Sequence, residues 1–360
     1  MAADVIIVGG GIIGCAVARE LARRGAAVRL FEWRTVGGGA THASAGVLAP
    51  YIEGHDEGTL LALGVRSLSM YDQFVAGAKE ESGLDVDYRR TGTIEIALDD
   101  TQADALRLRA ARHAGLGEWL EPADVRRMEP ALGTSVAGGL LIPQHGYVAA
   151  GALTEALAWS AMRHGAEVEA GHRVTEIHAS DDRVDIRTED GNSWSGEHLV
   201  VCAGSWIDQI QGGGRSRDVR PIRGQLLRLA WRGTPLARVI WGPHCYIVPW
   251  QDGTVLVGAT VEDVGFDERT TAAGVRDLLD AACDLLPEAW QATFVEARAG
   301  LRPATRDGLP IIGRSADASR VIYATGHYRN GVLLAPLTAE LVAALILDDV
   351  EDTALAALRP

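Results

Sequence analysis

The chain of 360 residues has one lysine, Lys79, among 34 basic side chains, so Schiff-base chemistry is excluded at every other position. Its four cysteines, Cys15, Cys202, Cys245 and Cys283, are widely separated and form no CxxC or Cys/His cluster. Neither a disulfide framework nor a zinc site is indicated, and no metal is expected. Positive charge is short overall: 34 basic against 48 acidic residues leave a formal net charge of −14. Such a balance disfavours a nucleic-acid backbone or an anionic membrane as partner and leaves a small molecule as the expected ligand. A long uninterrupted apolar run is missing too. The most apolar stretch, "GVLLAPLTAELVAALIL" (331–347), contains Pro336, Thr338 and Glu340 and falls short of the roughly 20 residues a bilayer span needs. It reads as a buried helix. The first apolar segment follows Asp4 with no basic n-region, so no signal peptide is expected and a reducing cytoplasm is the expected location. With 47% hydrophobic and 23% charged residues, the chain can bury a full core as two domains or one large α/β domain.

"ADVIIVGGGIIGCAVARELARRGAAVRLFEW" (3–33) reads as a short apolar strand, a glycine-rich turn, a helix and a second apolar strand, which is a β-α-β unit. Gly9, Gly11 and Gly14 make G-x-G-x-x-G, and Glu32 ends the second strand 18 residues after Gly14. Gly9 permits the tight turn, Gly11 lets the backbone approach a pyrophosphate, and Gly14 lets helix and strand pack closely. The helix start, with Ile12 and Ile13, offers amide donors to phosphates. Glu32 can accept from ribose hydroxyls, which disfavours a 2′-phosphate. The motif predicts a dinucleotide and leaves NAD and FAD both open. No second G-x-G-x-x-G follows, so one tightly held redox cofactor is the simpler reading.

The next loop, "TVGGGATHASAGVLAP" (35–50), carries no charge between Arg34 and Glu53 and suits a flat ring lying against the main chain. Helices are expected over about 57–80, 99–114 and 151–164, a strand at "TGTIEIAL" (91–98), and a buried strand at "HLVVCAGSW" (198–206) that returns to the cofactor at Gly204. From 223 to 302 the pattern is mainly strands. There is no repeat, low-complexity tract or linker, so the domains are expected to interleave. Near the end, "AGLRPATRDGLPIIG" (299–313) sets Arg302 between a leucine and a proline. Either it ends a strand with its stem on apolar surface, or it points into a cleft and holds a carboxylate through two parallel hydrogen bonds.

Together, the G-x-G-x-x-G start with Glu32, "SAGVLAP", "VVCAGSW", "HCYIVP", "LVGAT", "AGLRPATRDGLPIIG" and "TGHYRNGVLLAP" resemble the FAD-dependent D-amino-acid oxidase family nearly end to end, nearest its glycine oxidase branch. The resemblance implies FAD and an α/β (α+β) two-domain fold. A Rossmann-type FAD-binding domain (1–80, 140–220, 303–360) would interleave with a substrate domain (81–139, 221–302) built on an antiparallel sheet. It implies oxidation of glycine, sarcosine or another N-substituted glycine, with molecular oxygen as acceptor, in thiamine or specialised metabolism, and a homo-oligomer. It makes Arg302 the carboxylate-binding arginine, Tyr246 its partner, and Arg329 a second arginine near the entrance. At the cofactor it places Trp33, Ala40, Thr41, Ala45, Gly46 and Val47, a backbone contact at Val174, and the segment containing His327, Asn330, Gly331, Val332 and Leu333. "GHYRNG" holds no cysteine, so non-covalent FAD is expected. Val261, where glycine oxidases carry methionine, is expected to enlarge the substrate space, and Tyr51 and Ile52 to lie at the entrance. A D-amino-acid dehydrogenase passing electrons to a quinone and a flavoprotein without amine turnover are the alternatives; the lack of a basic or amphipathic membrane-binding segment counts against the first.

Overall fold

The computed structural model describes residues 3–53, 58–112, 115, 117–212 and 219–360; position 57 of one expected helix and positions 113–114 of another lie outside the described residues. β1 (Ala3–Val8) and β2 (Val28–Glu32) run parallel, with Val5 opposite Val28 and Val8 opposite Phe31, and α1 (Ile12–Arg23) connects them. Val5 to Val8 are all buried, as a parallel strand covered on both faces requires. Ser193–Val201 pairs with β1 on its other side, Val321–Thr325 follows, and Glu167–Ala170 extends the sheet beyond β2, all parallel. Antiparallel strands at Val174–Ala179, Val184–Thr188 and Ile311–Arg314 complete eight.

The short α2 (Pro50–Glu53) precedes α3 (Thr59–Ser82), and helices α1, α3, Ala150–Arg163 and Gly331–Ala343 share one apolar core with this sheet. The last of these carries Pro336 in its interior. A proline there has no N–H to offer the carbonyl four residues earlier, and a buried carbonyl must find another donor. The Tyr71 hydroxyl donates to Val332 O, and Ser67 Oγ donates to Leu333 O at 2.6 Å. Among the described residues, Gly331–Asp348 is the one helical segment long and apolar enough to cross a membrane, and 67% of it is buried inside the fold.

The second sheet also has eight strands, ordered Thr293–Ala304, Arg220–Ala230, Thr254–Gly258, Tyr246–Pro249, Val239–Trp241, Thr93–Ala97, Gly138–Ile142 and Glu118–Leu120. Ala272–Leu285 packs against it over a separate apolar core. The expectation of an antiparallel sheet needs one correction: Val239–Trp241 lies parallel to Thr93–Ala97. These strands come from chain segments separated by four strands of the first sheet, so no hairpin dictates their relative direction. The two long strands pair antiparallel with Gly224 opposite Gly300 and Ile222 opposite Arg302. That register carries Arg302 toward the first sheet.

Candidate active site

At the end of β1 the chain turns at Gly9, whose φ of 108° is open to glycine and strained for other residues. A Cβ there would fall 2.4 Å from Cys202 O, and one on Gly14 would fall 1.8 Å from Gly9 O. The turn and α1 are therefore in backbone contact. Gly11 precedes α1 and supplies no side-chain cap, while its own Cβ would meet nothing nearer than Thr41 Oγ1 at 3.5 Å. Of the first-turn amides, Ile12 N donates to Thr41 Oγ1 at 3.1 Å, and Gly11, Ile12 and Ile13 all border the cleft described below. An uncapped helix start of this kind favours an anion. Glu32 is held at the end of β2, its Oε2 accepting from Gly10 N at 2.6 Å and its Oε1 from Arg34 N at 2.7 Å.

From this turn a cleft of about 1580 Å³, counting its open mouth, runs to the second sheet. Its lining is continuous from the glycine turn through the loop 39–47 to Tyr246 and Arg302 of the second sheet, so one cleft serves both sheets. The residues expected at the cofactor all border it except Gly14, Asn330 and Leu333. Gly14 faces the turn, as described. Asn330 is buried behind the start of the last long helix, its N–H donating to His327 O at 2.8 Å. Leu333 points into the core between that helix and α3, where Gly64 lets it approach. Spacing along a helix start puts some positions toward the cleft and their neighbours away from it.

At the far end, Arg302 Nη1 donates to Thr260 O at 3.0 Å and to Arg223 O at 3.4 Å. Its guanidinium lies flat over Gly224, where a Cβ would fall 2.1–2.3 Å from three of its atoms. Tyr246 stands on Gly258 in the same way, a Cβ there falling 2.5 Å from its hydroxyl. Burial pushes the Tyr246 phenol above its ordinary pKa while Arg302 and Arg329 pull it down; burial wins, so the hydroxyl stays protonated at neutral pH. Tyr328 adopts a left-handed φ of 48°, its N–H donating to Pro303 O at 2.9 Å. The next residue, Arg329, pairs with Glu53 at 2.8 Å and lies 5.9 Å from the Trp241 ring. Arg302, Tyr246, Arg329 and Glu53 all border the cleft.

Glu53 was not among the expected site residues. Its signal in the sequence is that it is the first charge after Arg34. Val261, expected near substrate, is 56% exposed and does not border the cleft. Thr260 Oγ1 accepts from Gln225 N and Glu262 pairs with the buried Arg223, while Val261 between them is turned to solvent. Tyr51 stacks on buried His145 at 5.7 Å, and both Tyr51 and Ile52 pack with the second sheet instead of bordering the cleft.

The Gly224 contact yields a direct expectation. Gly224→Ala places a methyl against the mobile end of a side chain and not against backbone, so the fold should survive with the guanidinium displaced. Carboxylate binding should weaken at least tenfold with flavin content unchanged. A KM within threefold of wild type in steady-state kinetics would contradict the placement of Arg302.

The family model for DAO, FAD dependent oxidoreductase, matches residues 4–345. The chain belongs to this family of FAD-dependent oxidoreductases. It is similar to the crystal structure of glycine oxidase from Geobacillus kaustophilus, at 35% identity, covering 99% of this chain and 98% of that one with a TM-score of 0.94. Iminodiacetate oxidase from Chelativorans sp. BNC1 gives 28% identity, 99% and 98% coverage and a TM-score of 0.91. The bifunctional ThiO/ThiG protein of Nostoc sp. is 36% identical over 357 residues, and this chain spans 54% of its length.

The residues of this FAD-dependent oxidoreductase fit its cofactor. Gly9, Gly11 and the uncapped helix start can take the pyrophosphate, and Glu32 retains lone pairs for ribose hydroxyls. Beside Glu32, Arg34 lies between two indoles, 4.7 Å from Trp33 and 4.7 Å from Trp206, and pairs bidentately with Glu268 at 2.6 and 2.9 Å. Arg173 covers the other side of Trp33 at 4.5 Å. Gly46, with φ 66°, has room for a Cβ neither in conformation nor in space, Val148 O being 1.7 Å away. The loop 45–47 is thereby pressed onto the strand Gly146–Val148, giving a backbone wall for a planar ring.

Proposed function

We propose that this flavoprotein oxidises glycine-type amines, with Arg302 binding the substrate carboxylate and Tyr246 assisting it. The observation that carries the reading is the pair of glycine shelves, Gly224 and Gly258, which hold a guanidinium and a protonated phenol together at the end of the cofactor cleft. Bound FAD supplies the hydride acceptor and returns the electrons to oxygen as hydrogen peroxide. The chain's own part is orientation. Arg302 takes the carboxylate through parallel charge-assisted hydrogen bonds, and this fixes which hydrogen on the α-carbon faces the cofactor wall. The Tyr246 hydroxyl donates to the same group.

No described residue at this end is poised as a general base. Glu53 is paired with Arg329, Tyr246 is protonated, and burial pushes His327 down to about 3 while Thr338 Oγ1 occupies its Nε2 at 3.0 Å. The substrate amine therefore has to arrive deprotonated, and the α-hydrogen leaves as hydride. The N-terminal end of Gly331–Ala343 borders the cleft and favours negative charge there. The domain division follows the two sheets, with the cofactor on the first and the substrate on the second. A role in thiamine synthesis and a homo-oligomeric state are part of the proposal through the resemblance to glycine oxidases.

The test is peroxide release in air by purified protein with glycine, sarcosine, D-alanine, D-proline and N-alkylglycines. Turnover is expected for glycine or its N-substituted forms. Flavin reduction by amine without peroxide, relieved by a quinone, would replace the oxidase with a dehydrogenase. FAD is expected to be non-covalent: Cys202 borders the cleft, but burial pushes its thiol well above the ordinary range and suppresses the thiolate. Acid precipitation should leave all yellow colour in the supernatant; a yellow pellet would contradict this.

A further inference from the structure

Three ionised side chains serve the substrate end of the cleft: Arg302 and Arg329 are positive and Glu53 is negative. The other charged residues bordering the cleft, Glu32, Arg34 and Arg173, belong to the Trp33 end. The net charge facing substrate is thus +1. That matches one carboxylate carried with a deprotonated, uncharged amine. Arg329 is also held in place from two sides, by Glu53 at 2.8 Å and by the Trp241 ring at 5.9 Å. Trp241 in turn lies 5.1 Å from Tyr246. Both partners of the ion pair are largely withdrawn from water, with side-chain exposures of 28% for Arg329 and 16% for Glu53, so solvent screens the pair less than at an open surface.

Resting on the reading of the site as that of a glycine-type amine oxidase, we propose that Glu53 is a specificity-determining residue. By occupying Arg329, it selects amines with one carboxylate and an uncharged nitrogen substituent over amines that carry a second carboxymethyl group. A second substrate carboxylate near Arg329 has to displace Glu53 or lie beside it. In the first case an existing ion pair is lost, and in the second two like charges meet in a partly dry cleft. A methyl or longer alkyl group on nitrogen meets no such obstacle. The ion pair is not what anchors α2. Pro50 packs against Gly64 and Tyr51 stacks on His145, so Glu53→Gln should fold.

The test compares sarcosine with iminodiacetate as substrates, and methoxyacetate with diglycolate as their unreactive ether analogues, read by perturbation of flavin absorbance in the holoenzyme. The wild type is expected to favour sarcosine in kcat/KM and methoxyacetate in Kd, each by at least tenfold. Glu53→Gln raises the facing charge to +2 and frees Arg329, so both ratios should move at least tenfold toward the dicarboxylates, about 1.4 kcal/mol. The change should sit in KM and Kd more than in kcat, and added salt should shrink it. Adding Arg329→Gln to Glu53→Gln should abolish the gain. Ratios that move less than threefold in Glu53→Gln would overturn the proposal, as would a wild type that binds diglycolate as tightly as methoxyacetate. The wild-type ratio decides even if the variant loses FAD. Absence of peroxide with every glycine-type amine would remove the oxidase reading, whereas normal turnover with unchanged ratios would remove only the role of Glu53.

Discussion

Arg302→Ala should keep its FAD and lose between tenfold and several hundredfold in kcat/KM for glycine-type amines. Each charge-assisted hydrogen bond contributes roughly 1.5–3 kcal/mol, and each 1.4 kcal/mol is a factor of ten in efficiency. Arg302 sits on the second sheet, where it bonds the carbonyls of Arg223 and Thr260 and meets the Tyr246 hydroxyl, so the cradle at Gly9 and Gly11 is untouched. Arg302→Lys should recover little, because an ammonium cannot reproduce the planar two-point contact. The check is steady-state peroxide release beside the flavin-to-protein absorbance ratio. Near-wild-type efficiency with either variant would take the carboxylate away from this residue.

Gly14→Ala should be the most damaging single methyl in the cofactor half. The added Cβ would lie 1.8 Å from Gly9 O, a backbone oxygen, and a Cβ fixed to the helix backbone cannot rotate away from it. Overpacking of this kind costs about 1–3 kcal/mol or more. The helix start has to lift from the turn, and the amides that receive the pyrophosphate move with it. Loss of at least a hundredfold in FAD affinity and a Tm lower by several degrees are expected. Gly11→Ala is the informative contrast. Its methyl enters open space 3.5 Å from Thr41 Oγ1, so FAD should weaken while the apoprotein's Tm holds. Flavin fluorescence on dilution and thermal melts of apoprotein and holoprotein separate the two. Stoichiometric FAD in Gly14→Ala at wild-type Tm would refute the packing argument.

Much of the cofactor half was legible because its determinants are local. The β-α-β spacing, the three glycines and Glu32 lie within one short unit whose geometry leaves few alternatives. Arg302 was not legible on physical grounds alone. A guanidinium at a strand end suits solvent as well as a cleft, and the register opposite Ile222 that turns it inward depends on a strand about eighty residues earlier. Glu53 went unseen because its partner, Arg329, lies near the other end of the chain. Asn330 and Leu333 turn their side chains from the cleft while Gly331 and Val332 border it, a difference in direction between neighbours at a helix start that the shared motif does not specify. The parallel junction at Val239–Trp241 belongs to the same class, since no local turn encodes it.

The glycine shelves also determine how this enzyme can be re-engineered. Gly224 and Gly258 already have side chains resting on them at less than normal contact distance for any added carbon, so the floor of the substrate chamber cannot be reshaped one residue at a time without moving Arg302 or Tyr246. The wall where α2 and the turn at Arg329 meet holds the Glu53–Arg329 ion pair and carries no such shelf glycine. Libraries seeking new amine substrates should therefore diversify that wall and leave the sheet alone.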